Sequence, residues 1–149
     1  MGTIALTKHL SSTPHAVFDT ITHPATWEHW FSIHRCFVGA PPQRLAEDSV
    51  LTSKVALLGM TNEIEWTVTA AERSSRIALL GRGKAGVRCE FTYLMRDSGG
   101  GTELAAGGDF SGPLITGLLA RALEKQGRDQ LGKTLDLLAA HVAETGPPR

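Results

Sequence analysis

The stretch that decides the fold is Glu63-Ile64-Glu65-Trp66-Thr67-Val68-Thr69-Ala70, in which polar and apolar residues alternate without a break. A period of two is typical of a β-strand that has one face on a core and the other in water. Ile64, Trp66 and Val68 are therefore predicted to face a core, and Glu65 to face solvent. This strand indicates a sheet with one apolar face.

The same alternation extends to both sides of this strand. It predicts further strands at residues 4–10, 36–38, 50–58, 77–79, 87–95 and 104–110, with a turn at Ser98-Gly99-Gly100-Gly101 that closes one hairpin. Two short helices are predicted directly after the first strand. One covers residues 15–21 and is preceded by Thr13-Pro14, a hydroxyl cap and a first-turn proline, while the other carries Trp27, Trp30 and Phe31.

The C-terminal third changes to a helical period. After Gly112-Pro113, which resembles a cap, apolar residues continue at helical spacing to about residue 143: Ile115, Leu119, Leu123, Leu131, Leu135, Leu138 and Val142. This predicts a helix of about 30 residues, roughly 45 Å long. Gly117, Gly127 and Gly132 each cost about 1 kcal/mol relative to alanine, a cost that a close approach to the helix backbone could offset.

A sheet with one apolar face needs a cover, and the long helix is the only predicted element large enough to provide it. We therefore predict an α+β fold, in which a curved antiparallel sheet of about seven strands wraps on the C-terminal helix. Residues 1–149 are expected to form one domain, with a frayed tail at 146–149.

Composition limits the classes of function. Lysine plus arginine equals aspartate plus glutamate at 15 each, so no net charge favours nucleic acid. No signal peptide is apparent and no long apolar run occurs, so we expect a cytoplasmic protein without a membrane span. Cys36 and Cys89 are then expected to be reduced thiols. The six histidines include no HxxxH pair, and we expect neither a metal nor a cofactor.

Two glycine motifs match nucleotide-binding patterns without the structural context that those patterns need. Residues 127–134 spell GxxxxGKT, but strong helix formers precede them instead of a buried strand. Residues 81–86 spell GxGxxG, but a strand follows them where the dinucleotide fold needs a helix. We interpret the first as part of the long helix and the second as a hairpin.

A strongly curved sheet on a single helix cannot close along its whole length, and aromatic and aliphatic side chains would line the gap: Trp66, Phe91, Tyr93, Phe110 and Leu119. An apolar hollow with few polar groups is the usual form of a small-molecule site. The alternative for each residue is that it simply fills the core.

The order of predicted elements resembles the START-like superfamily, also called SRPBCC or helix-grip, which includes polyketide cyclases and dehydratases, lipid carriers and plant ligand-binding proteins. The segment from Val17-Phe18-Asp19 to Trp30 is similar to its first helical region. Closer similarity is to an actinobacterial branch, some of whose members are labelled as toxins of toxin–antitoxin pairs. That similarity rests on Trp30-Phe31-Ser32-Ile33-His34, on residues 59–68, on Gly81-Arg82-Gly83, Gly86-Val87 and Gly101-Thr102.

The resemblance implies an apolar, lipid- or polyketide-like ligand, and it leaves three hypotheses open. The first is a binding protein whose ligand-binding residues are Trp30, Phe31, Met60, Asn62, Trp66, Cys89, Phe91, Phe110, Leu119 and Leu123. The second is a cyclase or dehydratase with His34 and Tyr93 as catalytic acid–base groups. The third is a toxin or a protein-interaction role. A homodimer is kept as an option.

Overall fold

The computed structural model of the chain describes residues 2–145, so the predicted tail at 146–149 lies outside the described residues. The elements in chain order are β1 (Gly2–Leu10), α1 (Pro14–Ile21), a 3-10 turn (Pro24–Thr26), α2 (Trp27–Trp30), β2 (His34–Val38), β3 (Val50–Leu57), β4 (Met60–Glu72), β5 (Arg76–Arg82), a second 3-10 turn (Lys84–Gly86), β6 (Arg88–Ser98), β7 (Gly101–Ser111) and α3 (Gly117–Thr145).

The seven strands form one curled antiparallel sheet in the order β1-β7-β6-β5-β4-β3-β2. Strands β2 to β7 follow one another as a meander, and β1 joins the far side by pairing with β7. The apolar parity of the deciding stretch holds, because Ile64, Trp66 and Val68 are buried whereas Glu65 is exposed. The predicted helix-grip α+β fold is confirmed.

The two short helices after β1 close one end of the sheet with an aromatic cluster. The hydroxyl of Thr13 accepts a hydrogen bond from the Ala16 amide at 3.2 Å, and Pro14 occupies the first turn, as predicted. Trp27 and Trp30 are fully buried, and their indole N–H groups donate to the Ile21 carbonyl and the Thr26 hydroxyl. Phe31 lies just after α2.

Helix α3 contacts the sheet closely over only part of its length. Leu131, Leu135, Leu138 and Val142 of its C-terminal half are at most 5% exposed, whereas Leu119 near its start is 39% exposed. The apolar stripe therefore extends toward the N-terminus of α3, beyond the part of the helix that packs closely on the sheet. The sheet and the first turns of α3 consequently leave a space between them.

Gly127 shows how closely α3 approaches the sheet where the two do meet. A Cβ at this position would lie 3.1 Å from the Phe110 ring and 3.4 Å from Ile4. The glycine in the predicted helix is thus explained by packing of the helix backbone on the core. Gly132 faces more room, because its nearest neighbour, Leu6, would be 3.8 Å away.

The predicted start of the long helix was wrong by about four residues. Gly112 has φ +155°, and the next residues form a turn in which the Ile115 amide donates to the Gly112 carbonyl at 3.1 Å. This turn buries Ile115 to 5% exposure, and regular helix begins only at Gly117. Burial of an apolar anchor therefore outweighs the local capping signal.

Both glycine motifs lie where the sequence interpretation put them. Residues 127–134 are interior residues of α3, and residues 81–86 join the antiparallel strands β5 and β6. Within residues 2–145, no helix combines the length and hydropathy needed to cross a bilayer. The same part of the chain holds no group of three or more His, Cys, Asp or Glu side chains placed to bind a metal ion.

Candidate functional site

A cavity of about 210 Å³ lies between the concave face of the sheet and the first turns of α3. Its walls come from β3, β4, β6 and β7 on one side and from α3 and the turn before it on the other. The lining residues are Ile33, Val55, Leu57, Leu58, Met60, Asn62, Ile64, Trp66, Gly83, Lys84, Val87, Cys89, Phe91, Phe110, Leu114, Ile115, Leu119 and Leu123. We call this space the inner cavity. Nearly all of these side chains are apolar.

Trp66 forms the floor of the inner cavity and is held in place on two sides. Its indole N–H donates to the buried Ser53 hydroxyl on the neighbouring strand at 2.9 Å, so its polar atom is satisfied inside the core. Gly81 pairs directly with Trp66, and a Cβ there would lie 2.7 Å from the Trp66 ring and from Cys89 Sγ. The glycine therefore lets both side chains lean across β5 and line the cavity.

Exposed apolar residues border the opening of the inner cavity. Met60 is 58% exposed and Leu114 is 66% exposed, although both also line the cavity. Beside them stand the polar side chains of Asn62 and Lys84, both on the solvent-exposed rim. The arrangement is an apolar interior with a few polar groups at the edge, which is the usual form of a small-molecule site.

Eight of the ten predicted ligand-binding residues line the inner cavity: Met60, Asn62, Trp66, Cys89, Phe91, Phe110, Leu119 and Leu123. The structure does not place Trp30 or Phe31 on its wall. Trp30 is covered by the neighbouring core, with its ring 6.4 Å from that of Tyr93. Phe31 lies behind Trp66 and Phe91 and lines a separate hollow of only about 20 Å³.

Several lining residues were not predicted. Ile64 and Val55 belong to the apolar parity of their strands, so the alternation could have identified them. Leu114 and Ile115 precede α3 in a segment predicted to be helical, and Lys84 lies in a turn that carried no ligand-binding signal. Leu114, Ile115 and Lys84 line the cavity because the tertiary fold brings segments that are distant in sequence together.

His34 lies outside the inner cavity, at the start of β2. Its ring packs between Trp27 and Phe37, with centroids 5.9 and 4.4 Å away, and it borders a surface cleft of about 540 Å³. Its Nδ1 is the one buried side-chain nitrogen or oxygen without a hydrogen-bond partner in the described part of the chain. Burial lowers the pKa of His34, and Arg35 acts in the same direction while the Glu28 carboxylate opposes it.

Tyr93 is also absent from the wall of the inner cavity. It is 1% exposed, and burial raises the pKa of its phenol well above the ordinary value. His34 and Tyr93, the acid–base pair predicted from the sequence, are therefore not brought together at the inner cavity. Cys89 does line the cavity, but burial raises the pKa of its thiol to about 12, so it stays protonated near neutral pH.

The chain is similar in sequence to known proteins along most of its length. The profile of the family described as "Polyketide cyclase / dehydrase and lipid transport" matches residues 1–143. Uncharacterized protein Rv1546 of Mycobacterium tuberculosis is 24% identical over 139 residues, which cover 93% of this chain and 97% of that protein. Toxin Rv0910 of the same organism is 25% identical over 117 residues, covering 76% of this chain and 81% of its own.

Among solved structures, a START superfamily protein from Mycobacterium smegmatis is similar with a TM-score of 0.77 and 15% identity, covering 97% of this chain and 99% of that one. At this identity the likeness shows the fold alone, and it agrees with the curled sheet and long helix described above. The match of the family profile spans nearly the whole chain. The chain therefore belongs to the polyketide cyclase/dehydrase and lipid transport family, with a START-like fold.

Proposed function

We propose that this protein binds a small apolar molecule in the inner cavity, and that residues 1–149 act as one ligand-binding domain. The observation that carries the proposal is a cavity of about 210 Å³ whose wall is almost wholly apolar. For scale, an apolar cavity of about 150 Å³ stays dry and binds benzene. The inner cavity therefore suits an apolar body of about ten carbon atoms, such as a bicyclic aromatic ring or a medium alkyl chain.

Burial of apolar surface provides the affinity. Each methylene group removed from water contributes about 0.8 kcal/mol, from which the loss of ligand freedom must be subtracted. Trp66, Phe91 and Phe110 also present rigid rings, which lose little side-chain freedom on binding. For a ligand the size of 2-naphthol we expect a Kd of roughly 1–100 µM.

Binding is favoured over acid–base catalysis by the polar groups that reach the cavity. His34 and Tyr93 do not line it, and the Cys89 thiol is held protonated by burial. Asn62 can donate or accept a hydrogen bond but does not titrate, and the side chain of Lys84 lies on the solvent-exposed rim. The cyclase or dehydratase activity and the toxin role remain predictions, and the name of the toxin relative describes that relative.

The test uses two matched substitutions on α3. Leu123, which is half-buried and lines the cavity, is replaced by tryptophan to fill the space. Leu137, which is 37% exposed and lines neither the inner cavity nor the cleft beside His34, receives the same replacement. Isothermal titration with uncharged 2-naphthol should show one site in the wild-type protein and in Leu137→Trp. Affinity should fall at least tenfold in Leu123→Trp.

A second variant, Val87→Phe, fills the cavity from the opposite wall and guards against misfolding of the first. Circular dichroism and thermal unfolding establish that each variant is folded. Equal affinity of both cavity variants and the wild-type protein would contradict the proposal, as would the absence of any binding of 2-naphthol or related ten-carbon compounds.

A further inference from the structure

A second hollow adjoins the inner cavity at its polar rim. It has a volume of about 320 Å³ and is lined by Lys54, Thr61, Asn62, Glu63 and Lys84. We call it the outer cavity. Asn62 and Lys84 line both spaces, so they stand where the two adjoin. One space is apolar and the other is lined only by polar side chains.

The two cavities adjoin because β4 is longer than its neighbour β5. The pairing of these strands ends at Glu65 and Arg82, so residues 60–64 of β4 pair only with β3. Alternation along β4 places Asn62 on the same face as Trp66, whereas Thr61 and Glu63 have the opposite parity. The sheet is therefore open on one side of Asn62.

The turn Lys84–Gly86 borders this opening and has a fixed backbone. The Gly83 amide donates to the Val87 carbonyl at 2.9 Å, and the Val87 amide donates to the Lys84 carbonyl at 3.2 Å. A Cβ at Gly86 would lie 3.0 Å from the Pro113 ring, so the turn also packs against the segment before α3. These contacts hold the backbone of Lys84 beside the rim of the inner cavity.

The charges around the outer cavity do not cancel. Two lysines and one glutamate leave a net charge of about +1. The ion pairs of residues 2–145 involve other side chains, and neither Lys54 nor Lys84 takes part in one. Lys54 and Glu63 are direct cross-strand neighbours, but no ion pair joins them. A cation without a partner beside an apolar wall favours a ligand that carries a negative charge at that point.

We propose that the ligand is an amphipathic molecule with one anionic group, such as a carboxylate. Its apolar body occupies the inner cavity, and its charged end lies at Lys84 and Asn62, facing the outer cavity. This inference rests on the proposed function, because it assigns the chemical class of the ligand for the same site. The ammonium of Lys84 attracts the charge, and the amide N–H groups of Asn62 can donate to its oxygen atoms.

The experiment compares 2-naphthoate with 2-naphthamide, which share a shape and differ in charge. Isothermal titration at low salt should show that the wild-type protein binds 2-naphthoate about tenfold more tightly, a difference of about 1.4 kcal/mol. High salt should reduce that preference, because the lysines are exposed and therefore screened. Binding of 2-naphthamide should not depend on salt.

Three substitutions test how individual charged side chains contribute to the preference for 2-naphthoate. Lys84→Gln should remove most of the preference for 2-naphthoate over 2-naphthamide. Glu63→Gln should increase the preference, because it removes the negative charge of the outer cavity. Lys133→Gln is the matched control, since Lys133 is an exposed lysine of α3 that lines neither cavity, and it should change nothing.

The outcomes distinguish the two proposals. Equal binding of both compounds by the wild-type protein, or an equal loss of both in Lys84→Gln, overturns the anionic ligand while the apolar site stands. A preference for the cationic analogue 2-naphthylmethylammonium overturns it as well. If neither 2-naphthoate nor 2-naphthamide binds and 2-naphthol also fails, the proposed function is itself overturned.

Discussion

Replacing Gly81 by alanine adds a methyl group at a point where three side chains already meet. The new Cβ would lie 2.7 Å from Cys89 Sγ, 2.7 Å from the Trp66 ring and 2.8 Å from Ile64. Carbon atoms pack at about 3.5–4.0 Å, so these groups must retreat by close to 1 Å. All three side chains line the inner cavity, so the inner cavity offers the free space into which they can move.

The loss of stability in Gly81→Ala can be bounded from what is known of overpacked protein cores. Insertion of one methyl group into a well-packed site typically costs about 1–3 kcal/mol of the free energy of unfolding. For a chain of this size, each kcal/mol lowers Tm by roughly 2–4 °C. The same displacement narrows the cavity, and we expect 2-naphthol to bind roughly tenfold more weakly, which corresponds to about 1.4 kcal/mol.

Urea unfolding followed by tryptophan fluorescence measures the first effect, and isothermal titration measures the second. Gly132→Ala is the control, because its Cβ would meet only Leu6 at 3.8 Å and alanine is the better helix former. The free energy of unfolding of Gly132→Ala should rise by up to about 1 kcal/mol, and this variant should bind 2-naphthol as the wild-type protein does. If Gly81→Ala matched the wild-type protein in both assays, the close packing of Trp66 on β5 would be refuted.

Three further predictions concern buried polar groups. Ser53→Ala leaves the indole N–H of Trp66 without its acceptor, so urea unfolding should show a loss of about 1–3 kcal/mol, and an unchanged stability would contradict that hydrogen bond. Thr134→Val removes the acceptor of the Ser32 amide, a hydrogen bond that joins the segment after α2 to α3. Hydrogen exchange at the Ser32 amide should become faster, and the free energy of unfolding should fall by about 1–3 kcal/mol. The pKa of His34 is lowered in the folded state, so below about pH 6.5 the unfolded chain binds the proton more readily and stability should fall with decreasing pH. His34→Phe should weaken that decline between pH 8 and pH 5.5 and leave 2-naphthol binding intact, whereas an unchanged decline would show that His34 does not cause it. Burial and His29 also lower the pKa of His141, which should contribute a decline in stability in the same direction.

The sequence could predict which face of each strand is apolar, because alternation is a local property of the chain. Trp66, Cys89 and Phe91 were placed on the concave face in this way, and all three line the inner cavity. Tyr93 has the same parity and lies only two residues beyond Phe91. Whether a residue lines the cavity or the closed core depends on where α3 leaves the sheet, and that is a tertiary property.

His34 shows a second limit of pattern analysis. The register of β2 shifts between His34 and Cys36, so alternation does not carry through the start of this edge strand. The imidazole consequently packs between Trp27 and Phe37, away from the inner cavity. No local signal at His34 indicates this direction.

The segment before α3 shows how local and tertiary preferences compete. Gly112-Pro113 matches the start of a helix, but a turn there buries Ile115 in the core, and the helix starts at Gly117. Lys84 lay in a motif correctly interpreted as a hairpin, and a hairpin lysine is ordinarily a solvated charge. Its position beside the inner cavity follows from the unequal lengths of β4 and β5.

A crystal structure of the complex with uncharged 6-bromo-2-naphthol tests the central claim most directly, because anomalous scattering locates the bromine atom without reference to the protein. We predict a single bromine site inside the inner cavity, in contact with Trp66, Phe91 or Leu123. Bromine found only at the His34 cleft or elsewhere on the surface, with the space between the sheet and α3 closed by side chains, would contradict the account.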